Sequence, residues 1–294
     1  PPMSVAAAVY ISTAAREIVS TIAARASAVP RVALVDTFTD NAYARSSLKL
    51  VGHGEELLMA VHAAAMAGLE LVDLRNEPHP APHPRTGAVD MIAFMPLSDA
   101  DATSLRVELE TCESLAMRAG RAIGSAGFPV LLYGPRKGRT LLESRRGTSF
   151  FQSVNANSPA APSLRFPSDF GPAQPSDASG VSIVGAMPYV TNFNIQVASA
   201  SLAECKQTVT ALRQEYGVQV MALPHEAGTV EIGCNLQASL ERGCPPTQTV
   251  LDFVKRQLPS TATVARAYVV GLTPKQALDR AHAAISGEPV SWET

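Results

Sequence analysis

From Glu77 to Asp90 the chain reads Glu-Pro-His-Pro-Ala-Pro-His-Pro-Arg-Thr-Gly-Ala-Val-Asp. Proline fixes its own φ and drives the preceding residue out of the helical region, so His79 and His83 are both held extended. The result is a stiff polar loop that carries an imidazole and, at Arg85, a guanidinium. A neutral imidazole accepts protons near pH 7, and a guanidinium grips a carboxylate with two parallel hydrogen bonds. Residues 88–96, apolar and closed by a proline, read as a buried strand. A rigid loop at the mouth of a core strand positions catalytic groups before reaction. The competing reading is a proline-rich surface loop with incidental histidines. A third reading, a metal-dependent hydrolase using His79, His83 and Asp90, is disfavoured because the prolines prevent both histidines from sharing one helix face. No metal is expected.

A second stretch, Gly134-Pro-Arg-Lys-Gly-Arg-Thr140, follows a strand as phosphate loops do. The Walker pattern requires four residues between its glycines and then lysine before serine or threonine. Here three residues intervene and Arg139 follows Gly138, so a nucleoside triphosphate site is not expected. The cations at 136, 137, 139 and 145 still suggest a corner that accepts an anion. His53 and His62 read as a turn residue and a helix-flank residue.

The elements that must position these groups alternate between period two and period 3.6. Strands are expected at 5–12, 31–36, 45–51, 88–96 and 128–133, with helices at 13–28, 55–69 and 99–122. The alanine- and arginine-rich composition of 13–28 is that of a transit peptide, but strands on both sides mark it as part of the fold. From 153 to 180 the composition turns to Ser, Pro, Ala and Asp and reads as a boundary. Residues 181–185 and 190–197 then read as two strands about a turn. A helix at 200–216, strands at 218–223 and 229–236, a helix at 247–257, a strand at 263–270 and a helix at 274–285 follow. Pro274 suits a first helical position. The class is α/β (α+β): two mixed-sheet subdomains, 1–178 and 179–294, with helices on the outer faces and the sheets facing each other across a cleft.

The chain has 294 residues, 46% of them hydrophobic, enough for a sizeable core. With 24 basic and 26 acidic residues the formal charge is −2, so no global basic field recommends nucleic acid. No run reaches membrane-spanning length, so no membrane insertion is expected. Cys112, Cys205, Cys234 and Cys244 show no C-x-x-C spacing, the usage of a soluble protein in a reducing compartment.

His83-Pro-Arg-x-Gly-Ala-x-Asp90, Leu132-Tyr-Gly134, Arg139-Thr-Leu141 with Arg145 and Gly147, Asp169-Phe-Gly-Pro172, Val184-Gly-Ala186, Phe193-Asn-Ile195, Asn235-Leu236 and Val270-Gly-Leu-x-Pro274 occur in that order. Together they resemble the formiminotransferase part of the formimidoyltransferase-cyclodeaminases, the folate enzymes of histidine degradation. The likeness is closest to stand-alone proteins without the cyclodeaminase half. It implies two α/β subdomains with facing sheets and a folate tunnel, often in a dimer. It further implies transfer of a formimino group from N-formimino-L-glutamate to N5 of tetrahydrofolate, the folate acting as co-substrate. The catalytic histidine of the family falls on His83. The folate-lining segment falls on 169–180, which includes Asp169, Phe170, Gly171 and Pro172, and Asn194 joins the binding set. Arg45 and Arg85 are candidates for the glutamate carboxylates. Three positions depart from the pattern: Tyr10-Ile-Ser-Thr-Ala-Ala replaces the family's opening P-N-F-S-E-G, Phe38 stands where the acid partner of the histidine is expected, and Met187 replaces a basic residue. Those departures frame the alternative, a catalytically inactive member acting as an accessory subunit of a larger assembly.

Overall fold

The computed structural model describes residues 3–41, 44–77, 85–97, 102–148, 163–225, 228–239 and 243–287. His79 and His83 lie outside these residues. The chain folds as two compact units, one comprising Pro1–Ser98, Val107–Met187 and Ala277–Thr294, the other Asp99–Arg106 and Pro188–Gln276.

The first unit is built on a six-stranded mixed sheet. Its strands are β1 (Val5–Ile11), β2 (Ala33–Asp40), β3 (Arg45–Gly52), β4 (Val89–Pro96), β5 (Val130–Tyr133) and β6 (Ser182–Ala186), in the order β2-β3-β1-β4-β6-β5. The pairs among β1 to β4 are antiparallel, whereas β6 runs parallel to both β4 and β5. Helices α1 (Arg16–Ser27) and α2 (Gly54–Leu71) pack on each other, and α2 lies against β1, β3 and β4. The inward face of α2 is mostly small: Ala60, Ala64, Ala65, Ala67 and Gly68 are all buried. A helix with so little side chain approaches the sheet closely, and larger residues close the core from the strands, among them Ile11, Leu48, Leu50, Ile92 and Phe94. Helix α3 (Ala102–Ser125) adds Cys112, Leu115, Ala116, Ala119 and Ile123 to the same core.

The second unit is a four-stranded antiparallel sheet of β7 (Val190–Ala198), β8 (Gln219–Pro224), β9 (Val230–Gln237) and β10 (Thr263–Val270), ordered β10-β7-β9-β8. Helices α5 (Leu202–Tyr216) and α6 (Thr247–Gln257) complete its core, with Ile195, Val197, Leu212, Ile232, Val250 and Val254 buried. Ser201 and Glu204 form a reciprocal capping box at the start of α5, and Gly217 ends it in the left-handed conformation. Helix α7 (Pro274–Ser286) closes the series and returns the chain to the first unit, where its Arg280 donates to the Val35 carbonyl at 2.9 Å.

Two expectations need correction. Segments 181–185 and 190–197 do not form a hairpin, because β6 is inserted between β4 and β5 while β7 belongs to the other sheet. The burial patterns give the reason. β6 is buried at all five positions, as a central parallel strand must be, whereas β7 alternates as an antiparallel strand with one exposed face does. The second correction is an added element after β5. Pro135–Lys137 form a short 3-10 turn and Leu141–Arg146 a further helix, α4. Thr140 and Glu143 cap α4 reciprocally, a T-x-x-E signature that was present in the sequence.

Candidate functional site

The candidate site grows from an irregularity in the first sheet. Tyr10 pairs with Met91 and Ile11 with Val89, so Asp90 is the extra residue of a β-bulge in β4. Bulges re-aim side chains at strand ends. The carboxylate of Asp90 is almost fully buried and shared by two guanidiniums, Arg45 Nη1 at 2.8 Å and Arg145 Nη2 at 2.9 Å. Arg45 opens β3, and Arg145 lies in the last turn of α4, so three separate elements converge on one acid. The other carboxylate oxygen accepts from the Thr86 amide and, at 2.9 Å, from the Thr86 hydroxyl. Burial alone would push the Asp90 pKa up, but the two arginines and the Thr86 donors outweigh it and hold the group below the usual carboxylate range.

The chain entering β4 is pinned just as firmly. Ser12 Oγ donates to the Gly87 carbonyl at 2.7 Å, Ala88 N donates to Ser179 O at 2.8 Å, and Val181 N donates to Thr86 O at 2.8 Å. Gly87 and Gly180 face each other here, and a Cβ on Gly87 would collide with the Val181 carbonyl. Arg85 donates to Leu74 O at 2.9 Å and to Glu77 O at 3.3 Å, so its guanidinium joins the two flanks of segment 78–84. Burial lowers its pKa, Arg45 adds to that effect, and Glu77 and Asp90 oppose it.

Two phenols that sequence reasoning did not single out complete the cluster. Desolvation raises the pKa of Tyr10, with Arg145 opposing and Asp90 reinforcing the shift. Burial raises that of Tyr133, with Tyr10 adding and Arg145 opposing. Both remain neutral hydrogen-bond donors at physiological pH. Their only sequence signal was position, Tyr10 at the end of a strand and Tyr133 within Leu-Tyr-Gly. Arg145 had a better one, because it stands in a motif with Arg139 and Gly147.

The remaining expected residues lie elsewhere. Asp169 accepts from Leu132 N at 2.7 Å and pairs with both Lys137 and Arg139, while Arg139 also stacks on Phe166. Two cations of the anticipated anion corner are thereby engaged within the fold. Phe170 bridges Val130 and lies under Arg121, with ring centroid and guanidinium carbon 5.0 Å apart. Asp169 and Phe170 thus seal the outer edge of β5, and Gly171 and Pro172 follow as exposed residues. Asn194 belongs to the second unit. It lines an open concavity of about 480 Å³ on the sheet, together with Asn192, Asn235, Gln219 and Glu231. Phe38 lies half-exposed on β2, the edge strand of the first sheet. Among the described residues no three His, Cys, Asp or Glu side chains converge as a metal site, and no helix is long and apolar enough to cross a membrane.

Comparison with known proteins addresses the same segments. A formiminotransferase cyclodeaminase-like protein of Arabidopsis thaliana is 32% identical over 267 residues, spanning 85% of this chain and 86% of that protein. A glutamate formimidoyltransferase of Thermoplasma acidophilum is 28% identical over 274 residues, 90% of this chain and 85% of that one. The porcine formimidoyltransferase-cyclodeaminase, a longer protein, is 26% identical over 188 residues, which span 63% of this chain and 32% of the relative. The family model described as the formiminotransferase domain, N-terminal subdomain, matches residues 4–187, the stretch that contains Tyr10, Arg45, Asp90, Tyr133 and Arg145. The chain therefore belongs to the formiminotransferase family.

Proposed function

We propose that the protein transfers a formimino group from N-formimino-L-glutamate to N5 of tetrahydrofolate. The observation that carries this reading is the buried Asp90 shared by Arg45 and Arg145, in the strand that follows the sequence segment containing His83. One acid between two guanidiniums leaves positive charge at the site, suited to the carboxylates of a glutamate-derived substrate. In the reaction N5 attacks the formimino carbon, a C–N bond to the folate forms, and the bond to the glutamate nitrogen breaks. His83 takes the proton from N5 and returns it to the departing amine. Tyr10 and Tyr133, kept protonated, offer neutral donors beside the same charges. Arg85 ties residues 74 and 77 to residue 85.

Steady-state assay with N-formimino-L-glutamate and tetrahydrofolate tests the proposal. His83→Ala is expected to lower turnover by about two to four powers of ten with little change in folate affinity. Arg145→Lys keeps the charge but loses the planar fork, and should raise KM for N-formimino-L-glutamate. Activity that survives His83→Ala would refute the assignment. Inactive wild-type protein that gains turnover on Phe38→Asp would instead support the non-catalytic alternative.

A further inference from the structure

Between α3 and the 3-10 turn after β5 lies a half-open pocket of about 210 Å³. Ala116, Leu132 and Tyr133 line it, Met117 flanks it, and Arg136 and Lys137 border it. Glu113 is the remaining lining group and is only 8% exposed. Its Oε1 accepts the Arg136 amide at 2.9 Å, and the turn closes this tightly because position 134 is glycine, where a Cβ would stand 2.8 Å from the same oxygen. Among the described residues, its second oxygen has no hydrogen-bond partner and no cation lies within ion-pair distance of the carboxylate. Lys137, the nearby ammonium, is taken by Asp169.

A carboxylate held by one neutral amide, with its second oxygen reached by solvent from the pocket, keeps room for a cation. The pocket floor supplies no such cation among the described residues. A ligand ammonium entering the pocket would supply both the missing charge and the missing donors. The exposed guanidinium of Arg136, on the residue whose amide already holds Glu113, offers a carboxylate partner at the border. The part of the pocket enclosed by these walls matches a small amino acid.

We propose that this pocket binds a small zwitterionic α-amino acid, its ammonium on Glu113 and its carboxylate on Arg136. The site shares the Tyr133 ring with the Asp90 cluster but none of its charged groups, and it does not rest on the transferase reading. Isothermal titration of the full chain with L-alanine, and with methylammonium as a probe of the Glu113 half alone, tests it. Glu113→Gln retains an oxygen for the Arg136 amide and should weaken L-alanine by about tenfold or more. Arg136→Ala should weaken L-alanine while leaving methylammonium unchanged. Met117→Trp narrows the mouth from the exposed flank, and should reduce binding with Glu113 intact. Absence of L-alanine binding to the wild type, or binding that Glu113→Gln leaves undiminished, would overturn the proposal.

Discussion

Charge converges on Asp90 more than on any other buried acid among the described residues, and its protonation should be visible in stability. Its pKa is depressed in the folded protein despite burial, because Arg45, Arg145 and Thr86 favour the charged form. A depressed folded pKa contributes stability above the ordinary aspartate value of about 4, and this contribution is lost as pH falls through the folded value. Asp90→Asn is therefore expected to lose about 3 kcal/mol at pH 7, since it leaves two guanidiniums without their anion. Urea denaturation of both proteins at descending pH should show the difference narrowing below pH of about 4. A difference that stays constant to lower pH would assign the effect to packing instead of charge.

At the level of elements, the strand entry at Gly87 and the cap of α4 decide where the charged groups stand. Gly87→Ala drives a Cβ into the backbone carbonyl of Val181, which cannot rotate aside as a side chain would. The expected cost is about 2–3 kcal/mol, with a parallel loss of the proposed transferase activity because segment 85–90 shifts. Gly243→Ala, where an added Cβ meets nothing within 4 Å, should stay within about 0.5 kcal/mol and serves as the control. Thr140→Ala removes the hydroxyl that accepts the Glu143 amide at 3.2 Å, and should cost about 1 kcal/mol by thermal or chemical unfolding. Because α4 is a single short helix carrying Arg145, the same variant should raise KM for the proposed substrate, N-formimino-L-glutamate, more than it lowers turnover. An unchanged KM would show that Arg145 is held by Asp90 alone.

Across the whole molecule, each unit closes its own apolar core. Ile195, fully buried in the second core, loses most of its side chain in Ile195→Ala, at an expected cost of about 2–5 kcal/mol. Amide exchange should then accelerate in β7 and β9, with much smaller changes in β1 and β4. Equal acceleration in both sheets would show that the units unfold as one.

Much of this architecture was legible from the residues. Periodicity located the helices and strands because burial of one face imposes a period, and β10 and α6 begin and end where the pattern places them. The ordered motifs from His83 to Pro274 carried the family, since they combine turn glycines, prolines and charged residues whose order chance rarely reproduces. Sequence also placed Arg45, Arg85 and Asp90 among the groups of interest. Tertiary structure alone decided that Asp90 is the extra residue of a bulge, because register is a property of two strands and a single strand does not encode which residue is left over. It likewise decided that β6 joins the first sheet, where hydrogen bonds to β4 and β5 replace the hairpin its neighbourhood suggested. Asp169, which the family resemblance assigned to the folate-lining segment, and Lys137 and Arg139, read as part of an anion corner, found one another across the fold, since a charge leaving water is satisfied first by the nearest opposite charge.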